Sequence, residues 1–292
     1  MTSKRYLAKN FIANSNFLLS DASTRIEEVN KKEYKKRMKA NTEQLDELQR
    51  TLYADDRYAL LLVFQAMDAA GKDSTIRAVM SGINPQGCSV HSFKQPSDNE
   101  LGHDFLWRTS KALPERGRIG IFNRSYYEEV LVIKVHPEYL GKQKLPNLPF
   151  GKIPNESFWQ QRYDSIRCHE LHLARNGTRI MKFFLNVSRE EQHQRFLSRI
   201  DEPEKNWKFS ASDLSESERW PEYMQAYQQA IAATSVDHAP WYVIPADHKK
   251  TMRLIVSDIV CEELSKLDIA YPEVDAKERQ RLLDARDQLI IT

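Results

Sequence analysis

Ten residues, Gln65-Ala66-Met67-Asp68-Ala69-Ala70-Gly71-Lys72-Asp73-Ser74, carry the first chemistry legible in the chain. A lysine directly after a glycine, between an apolar run and a helix-forming stretch, meets the needs of a polyanion site. A tight turn gathers backbone N–H groups, a helix start adds its dipole, and the ammonium neutralises charge. The match to GxxxxGK[ST] is incomplete, because Ala66 stands at the first glycine and Asp73 follows the lysine. Lys72 is the expected catalytic cation, and Ala69, Ala70, Gly71, Asp73 and Ser74 the expected phosphate-lining residues. Asp68 would repel a phosphate unless it holds a metal or serves as a base; the other reading is a cap for the helix at Lys72.

A second group follows the apolar stretch RIGIF (118–122): Asn123-Arg124-Ser125-Tyr126-Tyr127-Glu128. Arg124 is placed to grip a phosphoryl group with two N–H bonds, the alternative being a surface ion pair. An ordinary phosphate-loop enzyme carries an acidic magnesium holder near this point. Asn123 stands there instead, which shifts metal duty towards Asp68, or towards Glu128 or Glu129. Arg195 and Arg199, four apart on a predicted helix, project to one side, and the spacing alone supports equally a cationic face suited to phosphoryl transfer and an exposed salt-bridged face. Lys94 is a further anion contact. Phe93 could seat a base, though core packing is the commoner fate of a strand aromatic. Trp207, Trp220 and Trp241 are assigned to lid and core packing, with base stacking as the lesser alternative. Cys168, His169 and His172 lack further ligands at useful spacing and read as surface or packing residues. The lysine-rich run 31–39 reads as a solvated helix face, the alternative being the approach path of a polyanion.

These residues need elements to hold them. Residues 58–64 (YALLLVF) read as a strand buried on both faces, of the kind found inside a parallel sheet. Further strands are expected at 89–93, 118–122, 178–187 and 241–244. Helices are expected at 25–52, from 72 to about 82, and at 101–112, 155–175, 189–200 and 249–266. Alternating strands and helices imply a parallel five-stranded sheet inside an α/β/α sandwich. The polar, tryptophan-bearing stretch 201–237 interrupts this alternation as a helical lid. The expected organisation is an N-terminal helical extension (1–54), a core (55–270) containing the lid, and a C-terminal helical tail (271–292). The balance of 43 Lys+Arg against 41 Asp+Glu leaves only +2, so an anion site must come from local placement of charge, and a nucleic-acid wrapper is disfavoured. Three scattered cysteines suit a reducing cytoplasm, and no stretch reads as a secretory signal or a membrane span.

Several segments together resemble the second family of polyphosphate kinases. They are AMDAAGKDS, SGINPQGCSVHSFKQPS (81–97), FNRSYYEEVL, RFLSRIDEPEKNWKFS (195–210) and APWYVIPADHKKTMR (239–253). The resemblance spans about 25–267. It implies a P-loop kinase core with a helical lid and a basic channel for inorganic polyphosphate, magnesium as cofactor, and a homo-oligomer. It implies phosphoryl transfer to AMP and ADP, giving ADP and ATP, with guanine nucleotides as further candidates. Asp68 and Lys72 match the family's phosphate-loop acid and lysine, Arg124 its strand-exit arginine, and Arg195, Arg199 and Lys208 its basic lid positions. Asn123 stands where many members carry an aspartate. With GKDS in place of GKGG, it resembles the branch acting on both mono- and diphosphates. The competing expectations are an ATP-dependent monophosphate kinase on the same core, and a non-catalytic nucleotide or polyanion binder.

Overall fold

Every residue of Ala59–Gln65 is buried, the signature of a strand covered on both faces, and it forms β1 at the centre of the sheet. In this computed structural model, which describes residues 5–14, 16–146, 148 and 152–291, the other strands are β2 (Cys88–Ser92), β3 (Ile119–Asn123), β4 (Thr178–Asn186) and β5 (Trp241–Pro245). They pair in the order β2-β3-β1-β4-β5, all parallel. The chain leaves β1 for the edge at β2, returns to β3 beside β1, and then crosses to the other side. Such a reversal opens a crevice beyond the carboxyl ends of the strands, where α/β proteins bind ligands. The expected five-stranded parallel sheet sandwiched by helices is therefore the fold observed.

The helices of the described residues are α1 (Lys31–Asp55), α2 (Lys72–Val79), α3 (Asp98–Leu101), α4 (Trp107–Ser110), α5 (Val132–Val135), α6 (Glu156–Arg175), α7 (Arg189–Asp201), α8 (Ala211–Glu218), α9 (Trp220–Thr234), α10 (Lys249–Leu264) and α11 (Ala276–Ile291). The first begins later than its charge pattern suggested. Asn30 caps it by accepting a bond from Glu33 N at 2.9 Å, which fixes the start. The helix expected over 101–112 is instead two single turns. A capping box at Ser97 starts the first early, Gly102 ends it, and Asp104 accepts from Leu106 N at 2.9 Å to restart the chain.

The N-terminal extension is only partly helical. Ile12 bridges Tyr242 in antiparallel fashion, with Ala13 N donating to Trp241 O at 2.9 Å and Val243 N to Phe11 O at 2.8 Å, so the segment covers the free edge of β5. Within 201–237, α8 is largely exposed. In α9, Tyr223, Ala226, Tyr227, Ala230 and Ile231 are buried, and Tyr227 packs on Phe184 of β4 with ring centroids 4.3 Å apart. That helix belongs to the packed body, and the cover over the crevice is formed by the end of α7 and the short 3₁₀ segment Pro203–Lys208. Along α11 the described side chains are exposed. No helix among the described residues is long and apolar enough to cross a membrane.

Candidate active site

The turn after β1 is shaped by what its carbonyls are tied to. Gly71 takes φ +106°, a left-handed conformation that side chains rarely adopt, and a Cβ there would lie 3.3 Å from Met252 Cε. Ala69 also has a positive φ of 60°. Lys72 Nζ donates to Ala66 O at 2.7 Å, and Gln192 Nε2 donates to Asp68 O at 3.0 Å. Arg195 Nη1 donates to Ala69 O at 3.0 Å and Ala70 O at 2.7 Å. Ala70 N donates to Met67 O at 3.3 Å, and with the carbonyls so tied, the unpartnered first-turn amides of α2 are the donors left to form an anion nest at the crevice.

Arg195 makes the largest single contribution. Its other nitrogens donate to Ala246 O at 2.7 Å and Asp247 O at 3.0 Å beyond β5, and to Glu191 at 2.8 Å. All five guanidinium N–H groups thus have acceptors, four of them backbone carbonyls that join the β1 and β5 exits. Arg195 still lines the crevice, but its donors are spent on the protein. Gln192 is held in turn by Ser217 Oγ, which donates to its Oε1 at 2.7 Å, so the end of α8 is tied to the loop.

Arg124 sits at the β3 exit with a left-handed φ of 63°, its N–H donating to Phe64 O at 3.0 Å. Its guanidinium meets Asp68 Oδ1 at 2.9 Å. Burial works against the Arg124 charge, but Glu128 and Asp68 beside it outweigh that and hold it firmly protonated. Lys72 is buried, and desolvation, then the neighbouring Arg124, lower its pKa. Burial raises the Glu128 carboxyl despite the pull of Arg124 and Lys72. Tyr227 on α9 faces the same charges; burial, then Glu128 and Asp68, push its hydroxyl up.

Asp73 and Asn123, the two departures from the common pattern, meet each other. Asn123 Nδ2 donates to Asp73 Oδ1 at 2.7 Å and lies 3.4 Å from Ser92 Oγ. An aspartate at 123 would set two carboxylates face to face there. Ser74 Oγ donates to Gly71 O at 3.0 Å and points into the same space.

The crevice is a cavity of about 1040 Å³ lined by nine Lys or Arg residues against two carboxylates, Asp68 and Asp73. This concentration contrasts with the near-neutral chain as a whole. It gathers Asp68, Lys72, Lys94, Asn123, Arg124, Arg195, Arg199 and Lys208 on one surface. Arg199 is held on the lid side by Asp213 at 3.0 Å and Lys208 O at 3.2 Å. Glu128 lies behind the rim, next to the cations. Glu129 is turned away: it pairs with buried Arg162 at 2.8 Å and accepts from Gln143 at 2.7 Å, which corrects its reading as a metal holder. Trp241 and Trp220 pack in the body as expected, but Trp207 is 78% exposed on the cavity wall, so its assignment to packing is corrected. Cys168 and His172 are exposed, while His169 packs edge-on against Tyr126. The lysines of 31–39 are exposed and lie outside the cavity wall.

Sequence reasoning missed Arg77, Lys249 and Gln192. Lys249 was within reach of the rule that found Arg124, since it follows the carboxyl end of β5. Arg77 shares a helix face with Asp73 and Ser74, at i+4 and i+3. Gln192 carried no signal, because its partner is a backbone carbonyl.

A phosphate nest at a β1–α2 junction, a buried lysine, a strand-exit arginine and a cationic lid over the switch point of a parallel sheet define a P-loop phosphotransferase. Comparison with known proteins specifies which kind. Residues 28–272 match the family model described as polyphosphate kinase 2. The chain is 56% identical over 260 residues to an ADP-polyphosphate phosphotransferase of Rhodopseudomonas palustris, covering 89% of each chain. It is 43% identical over 240 residues to an AMP/ADP-polyphosphate phosphotransferase of Meiothermus ruber, covering 82% of this chain and 84% of that one. The crystal structure of polyphosphate kinase 2 from Arthrobacter aurescens superposes with a TM-score of 0.85 at 35% identity, covering 97% of this chain and 98% of that one. The chain belongs to the polyphosphate kinase 2 family.

Proposed function

We propose that this enzyme passes the terminal phosphoryl group of inorganic polyphosphate to AMP and to ADP, forming ADP and ATP, and that the reaction runs in both directions. The observation that carries this reading is the row of cations above the phosphate nest. A nucleotide alone has no need of so many, whereas polyphosphate carries roughly one charge per unit along its length. The row continues past Arg124 and Lys72 through Arg199, Lys205 and Lys208 on the lid side, so a chain can lie along it with one end at the nest.

Lys72, the first-turn amides of α2 and Arg124 then neutralise the phosphoryl group in flight, and Arg199 holds the chain from above. The acceptor's own phosphate oxygen is the nucleophile, so no phosphorylated side chain is required. Of the apolar side chains on the cavity wall, two are exposed: Trp207 on the lid and Val90 on β2, the latter 52% exposed. Polyphosphate has no use for either, but a purine does, and we assign them to the nucleotide base.

Magnesium fits the donor set. Asp68, the Asn123 amide oxygen and Ser74 Oγ are hard oxygen donors beside the nest. Among the described residues no group of three or more His, Cys, Asp or Glu could cage a metal. One or two protein oxygens completed by phosphate oxygens is the manner in which magnesium binds in phosphoryl-transfer sites. When bound, the ion would neutralise phosphate charge. Glu128 is less suited, because its charge is already engaged by Lys72 and Arg124.

The test supplies purified protein with magnesium, long-chain polyphosphate and AMP, ADP or GDP separately, and follows each product. Nucleotide formation above a Lys72→Ala control is expected with AMP and with ADP. Turnover only with ATP as donor, indifferent to polyphosphate, would instead establish the monophosphate-kinase reading.

A further inference from the structure

Behind the β3 exit lies a polar cluster that the reaction does not touch. Lys182 on β4 and Glu170 on α6 are both fully buried, with Nζ 2.7 Å from Oε2. The same ammonium donates to Tyr127 OH at 2.9 Å and Thr234 O at 2.8 Å, so its three protons are all used. The second oxygen of Glu170 accepts from Tyr126 OH at 2.9 Å and Tyr127 OH at 2.8 Å. Thr234, at the end of α9, lies 2.9 Å from Tyr127 OH and accepts from Trp241 Nε1 at 2.9 Å. One charge pair thus joins β4, α6, α9 and β5, and two adjacent tyrosines are pinned to it.

Those tyrosines follow Arg124 by two and three residues. Arg124 occupies a left-handed backbone conformation that a non-glycine residue holds only when its surroundings over-determine it. On its N-terminal side the constraint is the bond from its N–H to Phe64 O. On its C-terminal side Ser125 Oγ accepts from Tyr127 N at 3.1 Å, and the two ring hydroxyls fix the turn that also carries Glu128. An apolar core would bury the tyrosine rings equally well but would not fix the direction of either hydroxyl.

We propose that the Lys182–Glu170 pair, acting through Tyr126 and Tyr127, is a positioning device that holds Arg124 at the angle phosphoryl transfer needs. This rests on the reading of Arg124 as the phosphoryl clamp. Substituting Tyr126→Phe and Tyr127→Phe together keeps the rings and the charge pair and removes the anchors, along with one of the three acceptors of Lys182. The expected result is a folded enzyme whose kcat for ADP phosphorylation falls about 10- to 100-fold, the scale of a misplaced catalytic group. KM for ADP and for polyphosphate should change less than about threefold.

The deciding measurement is a cycle with Arg124→Ala. If the tyrosines act through Arg124, their removal costs little further kcat once Arg124 is gone. Unchanged kcat in the tyrosine pair, or a loss that multiplies in full with that of Arg124→Ala, overturns the proposal. An Arg124→Ala enzyme of normal kcat would overturn the clamp reading and the positioning role together, so the two failures are distinguishable. Should the double variant not fold, Tyr126→Phe alone goes through the same cycle, with the same outcomes deciding.

Discussion

Replacing Arg195 with methionine separates two roles for one residue. As a lid arginine it would bind polyphosphate; in the structure its five donors hold Ala69 O, Ala70 O, Ala246 O, Asp247 O and Glu191. Methionine keeps most of the volume and removes every donor. Ala69 O can be rehydrated from the cavity, but the bonds to Ala70, Ala246 and Asp247 are buried. An orphaned buried acceptor costs about 1–3 kcal/mol, so three cost about 3–9 kcal/mol. Against this stands the desolvation that already lowers the Arg195 pKa, which the variant regains. A net loss of about 3 kcal/mol follows, equivalent to a fall in Tm of roughly 5–8 °C for a chain of this size.

The assay is thermal unfolding of the ligand-free protein, followed by steady-state kinetics at a temperature where both enzymes are folded. Lower Tm with reduced kcat is the expected pair, because the nest loses the brace that turns its carbonyls away. Arg195→Lys, with three donors, should fall between the two. A variant with the Tm of the parent and a raised KM for polyphosphate alone would refute the reasoning and return Arg195 to the ligand.

Three further outcomes follow from the same geometry. Asn123→Asp places a carboxylate against Asp73 and should cost about 1–2 kcal/mol without metal, after discounting for solvent screening; magnesium should restore more stability to it than to the parent, and equal responses in a chelator-to-magnesium melting series would contradict this. Lys72→Met should be inactive yet at least as stable as the parent near neutral pH, because burial lowers the Lys72 pKa. Between that lowered value and the ordinary 10.5 the unfolded chain binds more protons, so the parent gains stability with rising pH and the gap should close on the alkaline side, as denaturant titrations at several pH values would show. Trp207→Ala should raise KM for AMP and ADP about 5- to 50-fold, with Trp207→Phe nearly normal, since stacking on a base is worth about 1–3 kcal/mol; equal effects on polyphosphate KM would remove the base assignment.

The centre of the sheet was legible because a parallel strand covered on both faces is apolar throughout, and 58–64 has that character; 178–187 has it except at Thr178, Arg179, Lys182 and Asn186. The position of the site was legible for a related reason, since ligands bind beyond strand ends and the phosphate turn and Arg124 follow two of them. The partners of each charge were not. Arginine at 195 announces five donors, but a phosphate and a ring of carbonyls accept them equally, and only the approach of α7 to the β1 turn decides. Glu128 and Glu129 are indistinguishable as letters; a single-turn helix rotates them about 120° apart, so one meets Lys72 and the other Arg162. In the lid stretch, the spacing of Tyr223, Ala226, Tyr227, Ala230 and Ile231 did carry the apolar stripe of a packed helix, and the surrounding polar residues masked it.

Asp73 and Asn123 show how such ambiguity resolves. Taken singly, an aspartate after the lysine weakens an anion site, and an asparagine at the strand exit removes a metal ligand. The bond between them makes both changes parts of one arrangement, in which the amide neutralises by hydrogen bonding what a second carboxylate would have opposed. A carboxylate stays at the rim of the nest, but it enters from α2 rather than from β3. On the magnesium reading proposed above, a carboxylate oxygen is kept beside the nest, and its origin moves from β3 to α2. That makes residue 73 as well as residue 123 the place to look for any difference in acceptor range, and Asn123→Asp with Asp73→Gly is the exchange that should leave metal-free stability unchanged.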